Sequence, residues 1–193
     1  MDGINGIAGI TGIVGFGLLA LYLDIMPVHS SLKILAISIS LACAGFLPFN
    51  MPGARVFMGD VGSILLGFVF AGMLIALSKN SLDFACLASF LFPFYADELT
   101  TMAVRVKDRE NLLRPHRRHI YQLLANEKGI AHWKVSVSYG LLQLFVGLAV
   151  IGIRPVGLIA VIGFLAMCFI GFSAFGFSVR RSVERKEALK AQS

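Results

Sequence analysis

The sequence predicts an all-α polytopic membrane protein of about six transmembrane helices, with its chemistry on cytoplasmic active-site loops. Three observations carry that prediction. The 193 residues are 57% hydrophobic and only 15% charged, with mean hydropathy +0.80, whereas a soluble domain carries about a quarter charged residues. The apolar residues fall in blocks long enough to cross a hydrocarbon core of about 30 Å. The 17 Lys and Arg residues gather in alternate loops. The net charge of +6 therefore follows membrane topology and does not mark a nucleic-acid binder.

The six spans are expected at about 7–23, 32–48, 62–78, 83–103, 136–153 and 155–177, each of about 17–23 residues. The fourth is the least clean, because Asp97 and Glu98 sit in its second half. Arg154-Pro155 reads as a tight hairpin, with Pro155 suited to a helix start. Loops 1–6, 49–61, 104–135 and 178–193 share one side and hold 14 of the 17 basic residues. The opposite loops hold Lys33, Lys79 and Arg154. The positive-inside rule puts the first set, and both termini, in the cytoplasm. Residues 1–177 then form the transmembrane domain, and 178–193 a basic cytoplasmic tail that reads as a solvated helix. The N-terminus, with Asp2 and Asn5, lacks the basic start of a cleavable signal peptide. Cys43, Cys86 and Cys168 lie in apolar blocks without metal-ligand spacing and read as packing residues.

Four stretches hold groups capable of chemistry. MDGINGIAG places Asp2 and Asn5 at a membrane boundary, and a plain turn explains its Asp-Gly and Asn-Gly pairs equally well. NMPGARVFMGDVGS, residues 50–63, is a Gly/Pro-broken loop between two apolar runs. Its Asp60 stands where a helix N-terminus would offer N–H groups to a phosphate, beside which Mg²⁺ takes one or two carboxylates. The alternative is a carboxylate that only complements the helix dipole. Asp97 and Glu98 are costly inside an apolar run, and snorkelling or an ion pair with Arg105 or Arg109 accounts for them. RPHRRHIYQLLANEKG gathers Arg114, His116, Arg117, Arg118 and His119 at the start of a short helix opened by Pro115 and closed by Gly129. Such a cluster suits a diphosphate, or else it is a basic amphipathic surface helix.

These stretches resemble the polyprenyl-phosphate N-acetylhexosamine-1-phosphate transferases. MDGINGIAG is similar to that family's D-G-(I/L)-D-G-L-A element. NMPGARVFMGDVGS is similar, nearly letter for letter, to its N-x-x-P-A-(R/K)-x-F-M-G-D-x-G-S element. RPHRRHIYQLL resembles its histidine loop, and YADELTTMAVRV the acidic helix end before it. The resemblance implies transfer of a sugar 1-phosphate from a UDP-N-acetylhexosamine to undecaprenyl phosphate, with Mg²⁺ (or Mn²⁺) as cofactor. It implies Asp60 as the metal ligand and Asp2, Asp60 and His119 as catalytic residues. Asn5, Asn50, Arg55, Phe57, His116, Arg117 and Arg118 would bind substrate. Tyr121 stands where many relatives carry a second histidine, which points toward O-antigen-type initiating enzymes and away from the peptidoglycan branch. Asn5 replaces an aspartate, which argues against a metal or base role for it.

Members of the family are longer and carry an upstream pair of adjacent aspartates, and no Asp-Asp pair occurs in this sequence. The expectation is a fragment, inactive alone, partnered by an N-terminal half or forming a homodimer. The rival readings are a non-catalytic membrane scaffold, one half of a split enzyme, and a transporter using Asp97 and Glu98 as an ion site.

Overall fold

The structure is a computed structural model and describes residues 3–26, 30–111 and 118–191. Among the described residues eight α-helices follow one another: α1 Ile7–Ile25, α2 Ser30–Asn50, α3 Gly59–Leu77, α4 Ser81–Ser89, α5 Phe92–Lys107, α6 Ile120–Gln122, α7 His132–Ile153 and α8 Leu158–Ala191. No strand occurs among the described residues. Five helices, α1, α2, α3, α7 and α8, are long and apolar enough to cross a membrane, so the chain is a multi-pass membrane protein.

The centre of the bundle is α1. Two-thirds of its span is buried, against 11% for α2 and α8. Its neighbours are admitted by small residues, as membrane helices require when lipid gives no hydrophobic drive for association. A Cβ at Gly140 of α7 would stand 2.3 Å from Ile10, one at Gly147 2.3 Å from Leu18, and one at Gly12 2.5 Å from Cys43 of α2. Phe16 of α1 meets Phe70 of α3 edge-on, and Tyr22 meets Phe90 in the same way. The exposed apolar side chains of α2, α3 and α8, among them Leu41, Phe68 and Ile159, belong to surfaces that suit lipid.

The expected fourth span is two helices, not one. Pro93 lies in the first turn of α5. Its ring lacks an N–H and would clash with a carbonyl one turn back, so a continuous helix cannot pass through it. Phe90 and Leu91 make short i→i−3 bonds instead. Gln143 of α7 reaches into the break, donating from Nε2 to the Phe90 carbonyl at 2.7 Å and to the Thr11 carbonyl at 3.2 Å. The α4–α5 pair still runs from one end of the bundle to the other. At the far end Asp83 accepts from Tyr22 Oη at 2.8 Å and from Arg154 at 3.0 Å, and Arg154 also donates to Tyr22 Oη at 2.9 Å. Asn80 caps α4 by accepting the Asp83 N–H at 2.9 Å. At the near end Asp97 of α5 lies beside α6 and α7.

The short helix of the basic loop opens at Ile120, and His119 before it is extended, with φ −63° and ψ 146°; Pro115, its expected start, lies outside the described residues. The helix continues as a π-helical turn, Leu123–Glu127, and Gly129 follows in the left-handed region at φ 70°. The sixth span and the basic tail are one continuous 34-residue helix, α8.

Candidate active site

The near end collects the N-terminal turn, the loop between α2 and α3, the segment Arg118–Gln122 and the first turns of α7. Gly6 adopts φ 84°, a conformation open to glycine at little cost. Its N–H donates to Asn50 Oδ1 at 2.6 Å, and Asn50 Nδ2 donates to the Val56 carbonyl at 2.8 Å. Asn50 is fully buried. Both ends of its amide are thus used to fix the N-terminal turn to the loop, which makes it a positioning residue for any ligand outside. Asn5 lies between the same elements. Its Nδ2 donates to the Pro52 carbonyl at 3.3 Å, its backbone N–H to His132 Nδ1 at 3.4 Å, and its carbonyl accepts from Ser136 Oγ at 2.8 Å.

The loop carries Arg55 and Phe57 outward; both are exposed, Phe57 by 66%. The loop closes on itself, with the Arg55 and Val56 N–H groups donating to the Phe49 carbonyl at 2.9 and 3.2 Å. Asp60 follows in the first turn of α3, exposed. Among the described residues no donor reaches its carboxylate; Ser63 Oγ bonds only its backbone carbonyl. A carboxylate held at a helix N-terminus with its oxygens uncommitted is a hard, open ligand. No group of three or more His, Cys, Asp or Glu converges on one point among the described residues. Asp60 therefore fits a cation only if water and substrate oxygens complete the shell, the usual arrangement for Mg²⁺.

His119 is built differently. Asp97, 2% exposed, accepts the Ile120 N–H at 2.8 Å, the Tyr121 N–H at 3.3 Å, Tyr139 Oη at 2.8 Å and Thr101 Oγ1 at 3.1 Å. The carboxylate thereby caps α6 and fixes the residue before it. Its Oδ1 lies 3.6 Å from His119 Nδ1, and Glu98 Oε2 lies 3.7 Å from His119 Nε2. The imidazole stacks on Tyr121, centroids 5.5 Å apart and planes at 11°. Arg180 of α8 braces the segment by donating to the Arg118 carbonyl at 2.7 Å and to Thr101 Oγ1 at 2.8 Å. His119 borders a cavity of about 180 Å³ lined by Phe94, Tyr95, Asp97, Glu98 and Tyr121. The ion pair expected between Asp97 and Arg105 or Arg109 is replaced by these bonds; Arg105 turns to Glu110 at 3.2 Å and to the Asn111 carbonyl at 2.6 Å. Arg118 pairs with Asp108 at 2.9 Å and also with Glu110.

The N-terminal turn joins the two halves. A Cβ on Gly3 would lie 2.7 Å from Tyr121 Oη, so the backbone before Asn5 rests against the ring that stacks on His119. Asn5, Asn50, the Asp60 loop and His119 thus share one end of the bundle. Asp2, His116 and Arg117 lie outside the described residues. Sequence reasoning left out His132 and Tyr139, which carry no local motif. It also set Asp97 aside as structural, although an intramembrane carboxylate is itself a signal.

The glycosyl transferase family 4 model matches residues 1–78, which include the N-terminal turn and the Asp60 loop. The chain is 30% identical over 155 residues to the phospho-N-acetylmuramoyl-pentapeptide-transferase of Staphylococcus saprophyticus, covering 77% of this chain and 47% of the relative. It is 30% identical over 148 residues to the enzymes of that name in Staphylococcus aureus strains JH9 and Newman, covering 76% of this chain and 44% of each relative. The chain spans about half the length of these curated relatives. No solved structure matches it. The motif order, the helical membrane fold and these matches agree, and the chain belongs to glycosyl transferase family 4, the polyprenyl-phosphate N-acetylhexosamine-1-phosphate transferases.

Proposed function

We propose that the near end of the bundle, facing the cytoplasm, takes part in transferring an N-acetylated sugar 1-phosphate from a UDP-sugar to undecaprenyl phosphate. The observation that carries this is the N-terminal turn, which packs against both the Asp60 loop and the Tyr121–His119 stack. In the reaction an oxygen of the lipid phosphate bonds to the sugar-linked phosphorus. The bond from that phosphorus to the UMP oxygen breaks, leaving a sugar–diphosphate–lipid. Little covalent work falls to the protein, so positioning and charge neutralisation supply the rate. Asp60 would hold Mg²⁺, whose charge offsets that of the diphosphate. His119, oriented by Asp97, would donate a hydrogen bond to a phosphate oxygen. Asn5 would fix the turn that lies between them.

Tyr121 in place of a second imidazole favours an initiating enzyme of O-antigen type. The names of the relatives favour a second reading, transfer of a phospho-N-acetylmuramoyl-pentapeptide. The test uses membranes in which the chain is co-expressed with a family segment carrying paired aspartates. These are supplied with undecaprenyl phosphate, Mg²⁺ and either labelled UDP-N-acetylglucosamine or the labelled pentapeptide donor. Lipid-linked label is expected, and its rate should fall about 100-fold or more in Asp60→Asn. The donor that is consumed selects the branch. Label formed equally well by Asp60→Asn would sink the reading, and label formed by the chain without the added segment would show that it needs no second half.

A further inference from the structure

A second cavity, of about 260 Å³, opens beside Tyr139 between α7, α8 and the segment that carries Leu124 and Ile130. It is lined by the face of α7 that carries Lys134, Ser138 and Leu142, and by Phe172 and Phe175 of α8, with Tyr139 among its walls. Residues four apart share one helix face, and from Lys134 to Leu142 that face descends about 12 Å at 1.5 Å per residue. The groove is therefore polar only at its rim. Ser138 Oγ is already spent on the Lys134 carbonyl at 2.8 Å. Lys134 lies on the first turn of α7, exposed, with its Nζ 5.6 Å from the centroid of the Trp133 ring. No ion pair forms at Lys134 among the described residues. Lys186 of α8 is not part of the lining; its ammonium donates to the Glu127 carbonyl at 3.3 Å.

An apolar slot one acyl segment deep, with an ammonium outside any described ion pair at its mouth and the Trp133 indole beside that ammonium, matches a phospholipid at the membrane–water boundary. Charge complementarity selects an anionic headgroup. We propose that this groove binds an anionic phospholipid, with the phosphate on Lys134 and an acyl chain along Ser138, Leu142 and Phe175. The bound chain would press on Tyr139, whose hydroxyl holds Asp97, so the lipid backs the wall behind His119. The proposal does not depend on the transfer reaction.

Trp133 is the only tryptophan in the chain, which makes it a local reporter. The full chain is reconstituted in phosphatidylcholine bilayers, and bromine-labelled acyl chains are introduced either on phosphatidylglycerol or on phosphatidylcholine at equal mole fraction. Bromine on phosphatidylglycerol should quench Trp133 with about fivefold higher apparent affinity, the preference one lysine near a surface confers. Lys134→Gln should bring the two lipids to parity. Ser138→Phe, which fills the slot and leaves the charge, should reduce quenching by both lipids. Equal quenching in the unsubstituted chain, or a preference that survives Lys134→Gln, would overturn the proposal. Displacement of the labelled phosphatidylglycerol by a trace of undecaprenyl phosphate would overturn it in favour of the carrier lipid.

Discussion

Asp97 and Asp60 are carboxylates at the same end of one bundle, and they are opposites. Asp97 is buried and accepts two backbone N–H groups and two hydroxyls. Asp60 is exposed, and no donor reaches it among the described residues. The first has every lone pair assigned and can only hold other groups in place. The second has its oxygens available to something absent from the chain. Under the proposed function the difference separates a residue that builds the site from one that would work in it, and it predicts that stability and activity respond to different substitutions.

The largest stability effect should come from Asp97→Ala. It strips the partners of the Ile120 and Tyr121 N–H groups and of Tyr139 Oη, all buried, at a cost of about 3 kcal/mol or more. SDS titration in mixed micelles would read this as an earlier unfolding midpoint. Asn50→Ala should follow, at about 2 kcal/mol, because the Gly6 N–H and the Val56 carbonyl lose their partner. Faster protease cleavage within residues 51–58 would register the same loss. Asp60→Asn should be the smallest, with no resolvable change in the midpoint although the proposed function predicts a fall of about 100-fold or more in transfer. If Asp60→Asn unfolded the protein more readily than Asp97→Ala, the distinction would collapse.

The contrast also explains what could be read without coordinates. Apolar blocks and loop charges are local signals, so the helical membrane fold and the shared end of the polar loops were legible. The exposed place of Asp60 at the start of α3 was legible because its motif is local and specific. The break at residues 90–91 had a signal in Pro93, but the long apolar run masked it, since a block of that length counts as a span whether or not it bends. The bracket around His119 was not legible. Asp97 meets Tyr139 across 42 residues, and Asn5 meets His132 and Ser136 across 127 and 131. No spacing rule connects such pairs; only the packing of α7 against α1 and α5 brings them together. Asn50 sits in a motif and reads as a ligand residue, yet its amide is spent on the backbone, because a motif marks where a residue stands and not which way its bonds run.

The division of the α4–α5 pair at residues 90–91 bears on how the bundle meets bilayers of unequal thickness. A continuous helix answers a thinner hydrocarbon layer by tilting over its whole length. Here the joint at residues 90–91 can absorb the adjustment, with the Gln143 amide steadying it from the side. α4 and α5 can then change their mutual angle at that joint while the turn of α5 that carries Asp97 keeps its place beside His119.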